Sequence, residues 1–162
     1  KFIARRMVIL ASEDIGNADP NALTLATSCF TAVTYIGMPE SKIILSQVAA
    51  YLAAAPKSNS AVVAINKAID DVKRKPDITV PLHLRNAPTS LLSDLGYGEN
   101  YQYAHSSPDH FVRENYLPPP LEKQLYYLPS TMGSENEIRN RLKKLWIGLK
   151  EYPTEEKSTN DE

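Results

Sequence analysis

Apolar positions recur along the first half of the chain with a helical period. Between Phe2 and Ile15 they fall at Ile3, Met7, Leu10 and Ala11, the i, i+4, i+7 stripe of an amphipathic helix. Gly16 and Asn17 supply a left-handed stop. Asp19 before Pro20 reads as a helix start, a capping carboxylate followed by a proline whose fixed φ suits the first turn. The stripe Leu23, Ala26, Phe30 and Val33 follows and ends at Gly37. Pro39 and Glu40 open a third helix through Ile44, Val48, Tyr51, Leu52 and Ala55, and Pro56 closes it. The run Lys57-Ser58-Asn59-Ser60 offers capping hydroxyls to a fourth helix along Val62, Ile65, Ile69 and Val72, stopped before Pro76. Connections this short favour antiparallel neighbours. The small residues Ala49, Ala50, Ala53, Ala54 and Ala61 allow helix axes to approach closely.

The pattern then changes. In VPLHLRNAPT, from Val80 to Thr89, Pro81 and Pro88 push the residues before them out of the helical region. Only one helical turn fits between them. It carries Leu82 and Leu84 beside His83, Arg85 and Asn86, so two leucines pack while a cation, an amide and an imidazole are presented together. Thr89 to Leu95 reads as a short helix closed by Gly96. The stretch from Tyr97 to Ser130 holds six of the nine tyrosines and the run Pro118, Pro119 and Pro120. Proline at this density excludes long helices and central strands, while the tyrosines carry too much apolar surface to leave in water. We expect an ordered, mostly extended wrap with a small hairpin around Tyr101 to Tyr103. A last helix starts at Ser134 with a capping box to Glu137 and runs along Ile138, Leu142, Leu145 and Leu149. The expected fold class is all-α. It forms one helical domain over 1–150 with the irregular segment 97–130 inside it, and 151–162 is a polar, disordered tail.

Composition adds little pull in any direction. Apolar residues make up 43% and charged ones 23%, and the formal net charge is −1, so no global field draws nucleic acid or membrane. No apolar run is long enough to span a bilayer. Cys29 stands alone and cannot form an internal disulfide, which fits a reducing, cytoplasmic setting. The pattern opens at Lys1 already inside a helical stripe, and we expect a segment of a longer protein.

The chemistry-bearing residues form no catalytic constellation. His83, His105 and His110 have no metal partner at helical spacing, and a lone cysteine makes no zinc cluster. Gly96-Tyr97-Gly98 lacks the spacing and the lysine of a phosphate loop. Basic residues gather at two helix ends, Lys67, Lys73, Arg74 and Lys75, then Arg139, Arg141, Lys143 and Lys144. They read as solvated faces near helix C-termini, with phosphate tracking as the alternative. Arg85, locked between prolines and flanked by leucines, needs a carboxylate or backbone carbonyls as its partner and reads as a structural clamp. Tyr101, Tyr103 and His105 are candidate interface residues, since rigid aromatic side chains favour interfaces.

Six blocks in register, FIARRMVILASEDIG, ADPNAL, IGMPE, YLAAAPKSNSAVVAIN, VPLHLRNAPT and LGYGENYQYAHSSPDHFVRENYLP, make the chain specific. Together they resemble the C-terminal region of the replication-associated recombination protein A family, also called MgsA, whose eukaryotic relative is the Werner helicase-interacting ATPase. The resemblance covers nearly everything from Phe2 to Leu149. It implies a AAA+ ATPase related to clamp-loader subunits, acting on DNA at stalled or damaged replication forks. The segment in hand is then the clamp-loader-type helical collar that holds four copies together. By the same resemblance ATP and Mg belong to a catalytic module outside this segment, which itself needs no cofactor and is not an enzyme. The expected partners are further copies of the chain, forked or single-stranded DNA through the parent protein, and single-stranded-DNA-binding protein. The expected location is the cytoplasm, at the nucleoid. The competing function is a DNA-binding module that contacts phosphates through the basic helix ends.

Overall fold

The computed structural model describes residues 1–75 and 77–153. The fold is all-α, with six α-helices among the described residues: α1 (Phe2–Leu10), α2 (Asn21–Ile36), α3 (Ser41–Ala54), α4 (Ser60–Arg74), α5 (Ser90–Asp94) and α6 (Glu135–Leu145). The chain divides into two compact units, Lys1–Ala68 with Tyr126–Arg141, and Ile69–Leu125 with Leu142–Glu162. From residue 154 onward, the tail expected to be disordered lies outside the described residues.

In the first unit α1, α2 and α3 pack around a core of Ala4, Ala11, Ile15, Ala22, Ala26, Cys29, Val33, Val48 and Leu52. The local rules act where the sequence placed them. Gly37 ends α2 at φ 76°. Ala55 is extended (ψ 145°) because the ring of Pro56 excludes the helical region for the residue before it. The Lys57 ammonium donates to the Leu52 carbonyl at 2.9 Å and to that of Ala55, which satisfies the end of α3. The Asp19 carboxylate accepts from the Asn21 amide at 3.1 Å and from the Tyr51 hydroxyl at 2.6 Å, joining the start of α2 to α3.

The faces agree with the periodic reading at Ala11, Ala26, Val33, Val48 and Leu52 and differ at several bulkier positions. In α1 the buried position is Ala4, while Ile3 and Leu10 are 57% and 38% exposed. In α2 the buried positions are Ala22, Ala26, Cys29 and Val33, and Leu23 and Phe30 lie outside. Small side chains line the seam and let the axes approach, so the bulky neighbour at each step is turned outward. Burial pushes the Cys29 thiol pKa up, as expected of a small core residue rather than a nucleophile.

Glu135, at the start of α6, has no exposed surface. Its carboxylate accepts from the Ser58 hydroxyl at 2.6 Å, the Tyr127 hydroxyl at 2.8 Å and the Ser130 amide at 2.8 Å, and also from the Ser60 hydroxyl. Asn17 donates in turn to the Tyr127 hydroxyl at 3.0 Å. Behind the cluster the chain makes a close approach at Gly133, where φ is 51° and a β-carbon would stand 2.1 Å from the Ala18 carbonyl oxygen. Only glycine fits there, and the adjacent Ser134 amide donates to that same oxygen at 2.8 Å. Next to the Ser134 and Glu137 expected to form a capping box, Glu135 takes the Ser130 amide one turn upstream.

The second unit packs on Trp146, with Phe111 edge-on at 5.0 Å and Tyr116 edge-on at 6.2 Å between ring centres. Val112 and Leu121 are buried beside few others. The segment 97–125 is ordered by short 3₁₀ turns at Ala104–Ser106 and Pro119–Leu121 and by a turn at Pro108–His110 in which Asp109 and His110 are left-handed. The hairpin expected at Tyr101 to Tyr103 is absent, since no strand occurs among the described residues. The last helix stops at Leu145, four residues short of the expected Leu149, and a turn at Gly148 (φ 79°) follows.

Glu135 generates a pH prediction. Burial alone raises a carboxyl pKa, but the bonds from Ser58, Ser60 and Ser130 outweigh it and hold this one at about 2, against an ordinary 4.5. Because the folded value is depressed, its contribution is complete above pH 4.5 and is lost as pH falls toward 2. At about 1.4 kcal/mol per unit the contribution is on the order of 3 kcal/mol. Thermal melts between these pH values should show that loss, and Glu135→Ala should cost ~2–4 kcal/mol at neutral pH and flatten the acid limb. A variant melting like the parent throughout would show the cluster to be idle.

Candidate functional site

The stretch from Val80 to Thr89 folds as its prolines dictate. Pro81 sits at φ −53° and ψ 144°, and a single 3₁₀ turn, Leu82–Leu84, follows. The turn is clasped from the other side: the Gly98 amide donates to the Leu82 carbonyl at 2.9 Å. Gly98 is at φ 74°, and a β-carbon there would lie 3.4 Å from the Arg85 carbonyl oxygen.

Arg85 is held by neutral groups. Its Nε donates to the Val80 carbonyl at 2.6 Å, one terminal nitrogen donates to the Tyr97 hydroxyl at 3.1 Å, and the guanidinium lies 5.1 Å from the Tyr97 ring centre. His83 points the other way, its Nε2 lying 3.5 Å from a Glu114 carboxylate oxygen. That nitrogen is buried without a hydrogen-bond partner. It borders a cleft of about 340 Å³ lined by Leu82, His83, Gly96, Glu99, Asn100 and Glu114. Asn86 is exposed.

The aromatic candidates form a second group. Tyr101 and Tyr103 are 56% and 60% exposed. Tyr103 meets His105 at 5.1 Å between ring centres, and His105 meets His110 at 4.9 Å. His105 and His110, five residues apart around Pro108, are thus brought ring to ring by the turn between them.

The basic helix ends are partly committed within their own units. Lys75 donates to the Pro120 carbonyl at 2.8 Å, Lys67 lies 5.7 Å from the Tyr126 ring centre, and Arg139 is only 6% exposed. Among the described residues no three of His, Cys, Asp and Glu could hold a metal ion. The Gly96–Gly98 turn does not fit a nucleotide phosphate: a β-carbon on Gly96 would lie 3.3 Å from the Glu99 carboxylate, so an anion would face a like charge. No helix among the described residues is long and apolar enough to cross a membrane.

An all-α module with a small-residue seam and a Tyr/Pro-rich segment before its last helix is the class that these features define. The family described as MgsA AAA+ ATPase C terminal matches residues 1–146, and the chain belongs to it. It is 43% identical over 145 residues to replication-associated recombination protein A of Haemophilus influenzae, covering 89% of this chain and 32% of that protein. It is 42% identical over 142 residues to the protein of that name from Escherichia coli K12, covering 87% and 32%. To ATPase WRNIP1 of Dictyostelium discoideum it is 44% identical over 127 residues, covering 78% of this chain and 14% of that one. The chain thus spans about a third of the length of the bacterial relatives. It is the C-terminal part of a AAA+ ATPase.

The clamp at Arg85 yields a stability prediction. Its partners are a carbonyl and a phenol rather than a carboxylate, so removing it strands no buried counter-charge. Arg85→Ala should therefore cost ~1.5–3 kcal/mol, the range for hydrogen bonds to a charged group. Arg85→Lys should recover less than half, because an ammonium reproduces neither the fork nor the stacking on Tyr97. Chemical denaturation of the three proteins checks this. An alanine variant as stable as the parent would remove Arg85 from the scaffold.

Proposed function

We propose that this chain is the oligomerisation module of a AAA+ ATPase acting at stalled replication forks in replication-associated recombination and repair. It associates with further copies of itself. The observation that carries this reading is the apolar side chains that the first unit leaves in water. With alanines in the seam, Ile3, Leu23, Phe30, Tyr35, Ile36 and Met38 stand 57%, 43%, 38%, 84%, 54% and 71% exposed. Large apolar side chains left in water on this scale favour association with a partner surface. The number four comes from the family resemblance, and a closed, symmetric arrangement prevents open-ended polymerisation.

In this reading ATP and Mg are bound and used elsewhere in the parent protein, and this chain neither binds nor hydrolyses ATP. Forked or single-stranded DNA is reached through the parent, single-stranded-DNA-binding protein is a candidate partner, and the setting is the cytoplasm at the nucleoid. The relatives' printed names, which speak of replication-associated recombination, support that context. A module that tracks phosphates through its basic helix ends has less to rest on, since Lys75 and Arg139 are engaged or buried.

Analytical ultracentrifugation at low micromolar concentration should give a mass four times that of the 18.0 kDa chain. Phe30→Asp, which places a charge on the apolar face, should dissociate the assembly without lowering the helix content seen by circular dichroism. A single monomeric species, independent of concentration, would sink the oligomerisation reading. Calorimetry with ATP should give no heat, and micromolar binding would overturn the assignment of nucleotide to the rest of the parent.

A further inference from the structure

The irregular segment holds two imidazoles that the self-association reading does not use. His105 and His110 are both exposed, and their ring centres stand 4.9 Å apart at an interplanar angle of 53°. Each sits on its own hydrogen-bonded turn. Around His105 the Ser106 amide donates to the Tyr103 carbonyl at 2.9 Å and the Ser107 amide to that of Ala104 at 3.0 Å. The amides of His110 and Phe111 reach back to the carbonyls of Ser107 and Pro108 at 3.1 and 3.3 Å. Within that second turn Asp109 and His110 are successive non-glycine residues in the left-handed region, at φ 58° and 51°. This costly backbone accompanies the return of the His110 ring to that of His105. Phe111, edge-on to Trp146 at 5.0 Å, anchors the residue that follows.

We propose that His105 and His110 form a two-ligand site for a divalent transition-metal ion of the class of zinc, copper and nickel. An imidazole nitrogen bonds such an ion at about 2.0–2.1 Å, which places each ring centre about 3.2 Å from the metal. Two imidazoles on one ion then stand about 4.5 Å apart between centres when their bonds meet at a right angle, and about 5.2 Å apart at the tetrahedral angle. The observed 4.9 Å falls between these limits. Contact between two exposed rings offsets little of the cost of two left-handed residues in succession. A metal ion gains directly from ligands that are already placed.

The donor set selects the ion. Imidazole suits zinc, copper and nickel, whereas magnesium and calcium take oxygen ligands. Among the described residues no three of His, Cys, Asp and Glu converge on one ion, so water fills the remaining positions. The ion is therefore exchangeable rather than a staple of the fold. Asp109, next to His110 in the chain, adds a negative charge that favours a cation nearby. His83, the third histidine, belongs to a different cleft, beside Glu114. An ion held by both rings ties the two turns to each other and stabilises the folded chain by mass action. The site lies within one chain and does not depend on how many copies assemble.

The test is isothermal titration calorimetry of the tag-free 162-residue chain with zinc, copper and nickel chlorides, and with magnesium chloride as the control. Two of the four ligands of a closed zinc site predict a dissociation constant of about 1–200 μM for zinc. One ion should bind per chain, copper most tightly, and magnesium should give no heat. His105→Ala and His110→Ala should each weaken zinc binding by about 50-fold or more, while His83→Gln binds as the parent does. Binding should weaken as the pH is lowered from about 7.5 to about 5.5, because protons compete for the imidazole lone pairs. Zinc should raise the melting temperature of the parent and not of the two alanine variants, whose melts without metal match the parent's. Absence of saturable zinc or copper binding below about 1 mM overturns the proposal. So does binding that both alanine variants retain, or that His83→Gln removes equally. One ion shared by two chains, with a sedimenting mass that doubles on adding zinc, overturns the single-chain site and assigns the rings to a bridge between copies.

Discussion

The fold of the first unit depends on a carboxylate that has been taken out of water. An isolated buried carboxylate costs far more than a domain can spare, so Glu135 is tolerable only with its lone pairs filled. The Ser58 and Ser60 hydroxyls reach it from the entry to α4, the Tyr127 hydroxyl and the Ser130 amide from the segment before α6. Tyr127 extends the network to Asn17, in the turn after α1. Segments more than a hundred residues apart in sequence are thereby fixed to one another by a single charge. The requirement is mutual for Ser58, which left without the carboxylate would itself be a buried polar group in want of a partner.

That network sits beside an alanine-rich core, and the two features have opposite consequences for the surface. The polar cluster turns its groups on one another, with Glu135 and Ser58 buried at its centre. The seam of Ala4, Ala11, Ala22 and Ala26 does the reverse. Small residues bring helix axes together but bury little apolar area of their own, about 0.8 kcal/mol per methylene being the scale of what each lacks. The larger side chains that could have supplied that area face out, Phe30 and Ile36 among them. The strongly amphipathic α4 holds no buried residue at all. A monomer built this way leaves part of its hydrophobic driving force unused, and association with a second apolar surface is the ordinary way to recover it.

Helix ends were legible in the sequence because their determinants are local. Gly37, Pro56 and the Asp19–Pro20 step each act within two residues, and the structure follows them. Helix faces were legible at Ala11, Ala26, Val33, Val48 and Leu52 but not at Leu23 and Phe30. Periodicity weighs Leu23 above Ala22, yet the close seam selects the smaller side chain, a choice made by the partner helix. Glu135 was not legible. It stands in the polar run Ser134 to Asn136 at a helix start, where an acid ordinarily faces water and complements the dipole, and nothing nearby announces serines that lie 75 and 77 residues away. The hairpin near Tyr103 failed for a related reason: alternating tyrosines suggested strand, but the prolines and left-handed residues that follow leave no partner strand to pair with.

The irregular segment gains its order differently from the helices. Arg85 is held by the Val80 carbonyl and by Tyr97, and Trp146 is flanked edge-on by Phe111 and Tyr116. These are aromatic and backbone contacts that pin the chain at separate points while the stretches between them stay at the surface. Tyr103, His105 and His110 meet ring to ring along one such stretch, 5.1 and 4.9 Å apart between centres. The left-handed backbone at Asp109 and His110 falls within it, in a turn closed by the amides of His110 and Phe111 on the carbonyls of Ser107 and Pro108. Local hydrogen bonds thus offset a backbone conformation that non-glycine residues rarely adopt.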